Sequence, residues 1–219
     1  NPYTVYTLLV NGNYVFAGTG SPANGVFVST NLGSNWTQTP LNNRTVNALT
    51  ISGNKIFAGT LDYGVYISSN NGATWTQSSL NNLWITALVA NGSNIFAATG
   101  GNGLYLSTNS GSNWTQTSFN FNFVWALGIN GNNLYAGVIS GLYYSTNNGT
   151  NWVEISTDLP NTVVMHLDYS PGNQMLRAGT HGRGVYEAFV DFSIPVEMIS
   201  FTANQTDKKV VLNWRTATE

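Results

Sequence analysis

A short polar segment that ends in tryptophan occurs four times in this chain of 219 residues. It reads STNLGSNW, SSNNGATW, STNSGSNW and STNNGTNW, and its tryptophans are Trp36, Trp75, Trp114 and Trp152. Successive tryptophans are therefore 39, 39 and 38 residues apart. A period of about 40 residues is the sequence signature of a repeat architecture, and this constrains the fold more than any other feature.

Each repeat contains four short segments rich in aromatic and β-branched residues, which is the composition of β-strands. In the second repeat these segments are VNALTIS, KIFAGT, GVYIS and WTQS. A Gly-Asn type turn joins the first two, because Gly and Asn adopt positive φ at little cost. Four antiparallel strands in about 40 residues match a β-propeller blade, and no segment has helical spacing. A β-solenoid is the alternative architecture.

The predicted fold class is therefore all-β, a β-propeller of four-stranded antiparallel blades. About five blades are visible, and they form either a five-bladed object or the C-terminal part of a larger ring. The propeller repeats are expected to span residues 1–190, in units of about 3–41, 42–80, 81–120, 121–160 and 161–190. Residues 191–219 do not follow the sequence pattern of the repeats. We expect a linker and the first strands of a second β domain there, or a strand that completes the last blade.

The repeated segment is predicted to be a structural turn between the third and fourth strands. Its asparagines are expected to bond the backbone two residues on, and its glycines to take the strained turn position. The tryptophans are expected to pack between neighbouring blades. These turn residues are Asn31, Gly33, Trp36, Asn70, Gly72, Trp75, Asn109, Gly111, Trp114, Asn147, Gly149 and Trp152.

The turn pattern Ser-x-Asn-x-Gly-x-(Asn/Thr)-Trp resembles the Asp-box, Ser-x-Asp-x-Gly-x-Thr-Trp, of bacterial neuraminidase repeats and photosystem II assembly-factor-like propellers. The resemblance covers about residues 3–190, and all four turns carry Asn where the family has Asp. It implies that ligands bind the face opposite the boxes. The segment IPVEMISFTANQTDKKVVLNWRTATE resembles the start of the fibronectin-III-like region of type IX-exported proteins. That resemblance implies a bacterial extracellular or cell-surface location.

Charged residues make up only 7% of the chain, and the net charge is −2. Nucleic-acid binding is not expected, because no basic patch or run of Lys and Arg occurs. The absence of cysteine excludes disulfides and thiolate metal sites, and no apolar stretch is long enough for a membrane helix. No cofactor and no metal site are predicted.

A glycosidase needs two suitably spaced carboxylates, and the chain offers few. Asp62 and Asp158 are the candidates on the ligand face, two blades or more apart, while Asp168 falls in an inner strand. A sialidase also needs three arginines and a Tyr–Glu pair, and no such pair matches. His166, Asp168 and His181 are either a small polar cluster or ordinary structural residues.

We therefore predict a non-catalytic binding module for a protein or a glycan, with self-association as a further property. A partial or degenerate carbohydrate-active enzyme and a structural subunit of an extracellular assembly are the alternatives. Exposed aromatic rings beside polar side chains suit a sugar ring, although the same rings also suit packing between blades. The candidate ligand-face residues are Arg44, Asp62, Tyr63, Trp84, Phe123, Trp125, His181 and Arg183.

Overall fold

The structure is a computed structural model that describes residues 3–20, 22–155, 162–190, 198–206 and 209–216. It divides into two compact units, Asn1–Ala188 and Phe189–Glu219. The described residues contain 21 strands and no helix, and therefore no helix that could span a membrane. The prediction of an all-β propeller with about five blades is confirmed.

The strands of the first four blades follow one another in chain order. The first blade contains β1 (Val5–Asn11), β2 (Tyr14–Thr19), β3 (Val26–Ser29) and β4 (Thr37–Gln38). The second contains β5 (Val46–Ser52), β6 (Lys55–Thr60), β7 (Val65–Ser68) and β8 (Thr76–Gln77). The third contains β9 (Ile85–Asn91), β10 (Asn94–Thr99), β11 (Leu104–Ser107) and β12 (Thr115–Gln116). The fourth contains β13 (Val124–Asn130), β14 (Asn133–Val138), β15 (Gly141–Ser145) and β16 (Val153–Glu154).

The fifth sheet has three strands, β17 (Val164–Ser170), β18 (Met175–Thr180) and β19 (Gly184–Phe189). Strands β20 (Met198–Thr206) and β21 (Lys209–Thr216) pair with each other as a separate antiparallel hairpin. Within the described residues, the first strands of all five blades line a common channel of about 380 Å³.

The hydrophobic core lies between successive blades. The second strand of each of the first four blades carries a fully buried aromatic residue that faces the following blade, and these residues are Phe16, Phe57, Phe96 and Tyr135. Burial raises the pKa of the Tyr135 hydroxyl. Because the first four blades pack on the blades that follow them in a similar way, stability is expected to arise from repeated interfaces of similar composition.

The repeated turn is held by a serine together with the asparagine. In the first copy, the backbone N–H groups of Asn31 and Gly33 donate to Ser29 Oγ at 3.3 and 2.8 Å. The Asn31 side-chain oxygen accepts from the N–H of Asn35 at 2.9 Å. The predicted bond to the backbone two residues on was wrong, because the serine hydroxyl already takes that N–H. The same bonds recur in the other three copies.

Two consecutive residues with positive φ bend the turn. The backbone N–H four residues after the asparagine thereby reaches the asparagine side-chain oxygen. In the third copy, Ser110 has φ of 53° and Gly111 has φ of 81°. The asparagine side-chain oxygen is an acceptor, as a carboxylate oxygen would be, so this hydrogen bond forms without a negative charge.

We expect Ser107→Ala to lower the free energy of unfolding by about 1–3 kcal/mol, because it leaves buried N–H groups without their acceptor. Ser107 is buried and accepts from the N–H of Gly111 at 2.8 Å. Urea unfolding followed by circular dichroism measures this change. Ser112→Ala is the matched control, because Ser112 is an exposed residue of the same turn. Equal losses in the two variants would contradict the assigned role of Ser107.

Three of the four turn tryptophans, Trp75, Trp114 and Trp152, pack against the clusters between blades. Trp36 differs, because it is 42% exposed on the outer face of the first blade. The predicted packing of Trp36 between two blades is therefore not found among the described residues, where no blade covers this face.

Candidate binding site at the channel mouth

The first strand of every blade contains an irregularity at the same place. The register of pairing shifts around its second residue in all five sheets. Such β-bulges re-aim a side chain and are frequent beside functional sites. The residues at the five bulges are Tyr6, Asn47, Thr86, Trp125 and Met165.

All five bulge residues line one cavity of about 360 Å³ at the mouth of the channel. Thr45, Leu61 and Trp84 complete its lining. The cavity therefore contains aromatic, aliphatic and uncharged polar groups. In the described part of the chain, no charged side chain lines it.

The bulge residue changes from blade to blade, whereas its neighbours repeat. A Val or Ile always precedes it, and a Leu always follows two positions later. Two of the five tie adjacent blades together, because Asn47 Nδ2 donates to the Ile85 carbonyl at 3.0 Å and Thr86 Oγ1 donates to the Val124 carbonyl. Tyr6 and Met165 remain about half exposed.

Three of the predicted ligand-face residues form one aromatic cluster at this mouth. Trp84 makes edge contacts with Trp125 at 5.4 Å and with Phe123 at 6.2 Å between ring centroids. Phe123 stacks on Trp125 at 5.5 Å, and the interplanar angle is 10°. Such pairs add stability beyond the area they bury, so the rings hold one another in place.

Gly100 fixes the Trp84 ring from the third blade. A Cβ atom at residue 100 would lie 2.4 Å from this ring, so the indole packs directly on the glycine backbone. The Gly100 N–H also donates to the Trp84 carbonyl at 2.9 Å. The aromatic cluster is therefore positioned before any ligand arrives, which lowers the ordering cost of binding.

Two further predicted residues, Arg44 and Tyr63, meet in a separate pair. The guanidinium carbon of Arg44 lies 3.7 Å from the Tyr63 ring centroid, a cation–π arrangement. Asp62 is an exposed neighbour of Tyr63. This group contributes none of the side chains that line the 360 Å³ cavity.

The remaining candidates lie in the fifth blade or outside the described residues. His181 and Arg183 are exposed and do not line the mouth cavity. Asp158 falls outside the residues that the structure describes. The pairing of Asp62 with Asp158 therefore stays a sequence-based hypothesis.

His166, Asp168 and His181 are not brought together as a metal site. His166 lines the channel, whereas Asp168 lies 3.7 Å from Arg177. Arg177 also bonds Glu187 at 2.6 Å, and this bond raises the pKa of the arginine. Among the described residues, no group of three His, Asp or Glu side chains is arranged to hold a metal ion.

Sequence reasoning singled out Trp84 and Trp125 but not Asn47, Thr86 and Met165, which share the same cavity. A signal for them existed in the aligned repeats. At the second position of the first strand the residue differs in every repeat, although a Val or Ile always precedes it.

The five blades, the shared channel and its mouth define a β-propeller domain. The chain belongs to the family described as the DUF6242 beta propeller domain, whose family model matches residues 5–124. No curated protein sequence is significantly similar to the chain.

Several solved structures share the fold. An ancestral GH74 enzyme is 26% identical, with a TM-score of 0.68 over 99% of this chain and 32% of that one. The extracellular domain of a putative one component system from B. thetaiotaomicron is 22% identical, with a TM-score of 0.70 over 90% of this chain and 28% of that one. YCF48 bound to D1 peptide is 15% identical, with a TM-score of 0.63 over 85% and 66% of the two chains. This chain therefore spans only part of each of these relatives.

Proposed function

We propose that this domain is a non-catalytic binding module that holds a neutral glycan segment at the channel mouth. One observation carries the proposal. Five bulged strands turn non-repeating side chains into a single cavity beside a rigid cluster of Trp84, Phe123 and Trp125. The residues that form the blades repeat, whereas the residues that line the mouth differ from blade to blade. This is the expected pattern of a binding surface carried on a rigid scaffold.

The chemistry of the mouth favours a sugar over a charged ligand. Indole and phenyl faces offer flat apolar surface, while Thr45 and Asn47 supply polar atoms at its edge. Pockets of this kind combine apolar lining with a few polar groups that fix orientation. Because no lining side chain is charged in the described part of the chain, the site suits a neutral ligand rather than a sialic acid.

The absence of paired acids at the mouth supports a binding role rather than hydrolysis. General acid–base cleavage of a glycosidic bond needs two carboxyl groups about 5–10 Å apart. None lines the cavity in the described residues. The ancestral GH74 protein is an enzyme, but this chain covers only 32% of its length.

We further propose that the domain acts outside the cell. The resemblance of its turns to the Asp-box and of its C-terminal segment to type IX-exported proteins supports this location. The shared fold with an extracellular domain from B. thetaiotaomicron is consistent with it. Secretion tests in the source organism, with the protein detected at the surface of intact cells, would decide the point.

Binding to a panel of neutral glycans tests the proposed function. We expect Trp84→Ala and Trp125→Ala each to weaken binding at least about tenfold, which corresponds to about 1.4 kcal/mol. Trp36→Ala is the matched control, because Trp36 is exposed and lies at the opposite end of the strands from the bulges. Circular dichroism verifies that all three variants fold.

The same assay separates the alternatives. Undiminished binding in both mouth variants would contradict the proposed site. If no glycan of the panel bound, peptide ligands would be tested next. Release of reducing sugar that is lost in Asp62→Asn or Asp158→Asn would contradict the non-catalytic role.

A further inference from the structure

Blades one to four each present a three-residue row to the following blade. The row runs across the first three strands, and the aromatic residue lies at its centre. In the second blade, Phe57 pairs with Thr50 on one side and Ile67 on the other. In the third, Phe96 pairs with Val89 and Leu106. We call this set the presenting row.

The following blade receives the aromatic ring in a shallow slot. The Phe57 ring packs in one cluster with Ala97 of the third blade, and a Cβ on Gly111 would lie only 2.6 Å from it. Phe16 and Phe96 lie 3.5 Å from the Cβ positions of Gly72 and Gly149, which is an ordinary contact distance. A small residue of the second strand and a turn glycine therefore make the slot, beside the Val or Ile and the Leu of the first strand.

The slot of the first blade is open. It has the matching Ala17 and Gly33, but the Cβ position of Gly33 has only Trp36 within 4 Å. Val5 is 51% exposed, whereas the residues at its position in the other four blades are 0% exposed. Leu8 is 62% exposed, whereas its four equivalents are 6–8% exposed. The first blade thus has a complete apolar receiving face that no described residue covers.

The fifth blade has the opposite property. Its row is Asp168, Arg177 and Glu187, and the arginine occupies the position of the buried aromatic residues. The row is exposed and internally ion-paired, although Val185 and Phe189 at the edges of the sheet are also exposed. The fifth blade therefore has a charged row where the first four blades have an apolar one.

We propose that the first blade is a docking surface for one further blade of this same repeat, which inserts an aromatic presenting row into the slot of Ala17 and Gly33. The interface would continue the three already present between the first four blades. The charged row of the fifth blade does not fit this slot, because its arginine and carboxylates would lose water against Leu8 without new partners.

A second copy of the chain is the less suitable occupant. Its two uncovered faces are another receiving face, which has no ring to insert, and the charged row of the fifth blade. The proposal therefore commits to a blade with an apolar row. It rests on the blade interfaces and is independent of the ligand at the channel mouth.

An added blade tests this assignment. A copy of residues 45–83 is joined in front of Thr4, in place of residues 1–3, so that the natural spacing before Ile85 is reproduced before Val5. The matched control carries Phe57→Arg and Ile67→Glu in the added copy only, which gives it the charged type of row. We expect the apolar version to unfold about 5 °C or more above the charged version.

Leu8→Ala supplies a second readout in both extended proteins and in the original chain. We expect it to lower the unfolding midpoint by about 5 °C or more when the apolar blade is present, and to have little effect otherwise. Three outcomes would each overturn the proposal. The two extended proteins could have equal unfolding midpoints, Leu8→Ala could have an equal effect in all three proteins, or the apolar version could fail to unfold cooperatively. A dimer of the original chain that Leu8→Glu dissociates would overturn it in favour of a second copy.

Discussion

Replacing Phe57 with alanine is expected to lower the free energy of unfolding by about 3–5 kcal/mol. The ring is fully buried between the second and third blades, where it contacts a cluster that contains Leu88, Ile95 and Ala97. Truncation removes the transfer free energy of the ring and leaves a cavity that two rigid sheets cannot close. Urea unfolding monitored by circular dichroism measures the loss.

Arg177→Ala is the matched control, because Arg177 occupies the same position in the fifth blade. Its side chain is exposed, and its ion pairs with Asp168 and Glu187 lie in water. Exposed ion pairs contribute little to stability, so we expect a much smaller change than at Phe57. A loss at Arg177 as large as that at Phe57 would show that the outer face of the fifth blade is covered after all.

Gly64→Ala is expected to destabilise the second blade by at least about 3 kcal/mol, because two costs add at one residue. Gly64 has φ of +72°, a conformation that side-chain-bearing residues rarely adopt. A Cβ at this position would also lie 2.0 Å from the Leu80 carbonyl oxygen, which belongs to the backbone and has no rotamer to change. The chain would have to open the hydrogen bond from Gly64 N–H to the Leu83 carbonyl.

Gly92→Ala isolates the conformational part of that cost. Gly92 has φ of +56°, but no atom lies within 4 Å of its Cβ position. We expect a loss of about 1–2 kcal/mol there, the usual penalty for a left-handed alanine. Thermal and urea unfolding of the two variants side by side give the difference. If Gly92→Ala were as damaging as Gly64→Ala, the steric contribution from Leu80 would be refuted.

The period of the repeat was sufficient to predict the blades, because four copies of one pattern average out local ambiguity. The glycines and the β-branched segments then placed the strands, since turn chemistry and strand composition are local properties. The backbone N–H that each turn asparagine accepts from was predicted wrongly, because it is not set by local residue types alone. Ser29 competes for the same N–H, and that competition depends on backbone coordinates rather than on residue types.

The candidate site was predicted less completely than the fold. Trp84 and Trp125 stood out as aromatic residues outside the turn, but the cavity that they share depends on the five bulges. A bulge is a property of hydrogen-bond register, and register follows from pairing across the sheet. The exposure of Leu8 was equally hidden, because its sequence surroundings match those of the buried Leu49.

Under the proposed function, the bulged strands separate two tasks, which are holding the blades together and contacting a ligand. The residues on either side of each bulge, such as Val124 and Leu127, hold the blades together and tolerate little change. Tyr6, Trp125 and Met165 line the mouth cavity. Among the described residues, none of the three is shown to make a side-chain hydrogen bond to a neighbouring blade. Tyr6 and Met165 are also about half exposed. Under the proposed binding function, ligand specificity could be changed at these two positions with little effect on the blade interfaces, so the domain is a suitable starting point for selecting new binders from a small library.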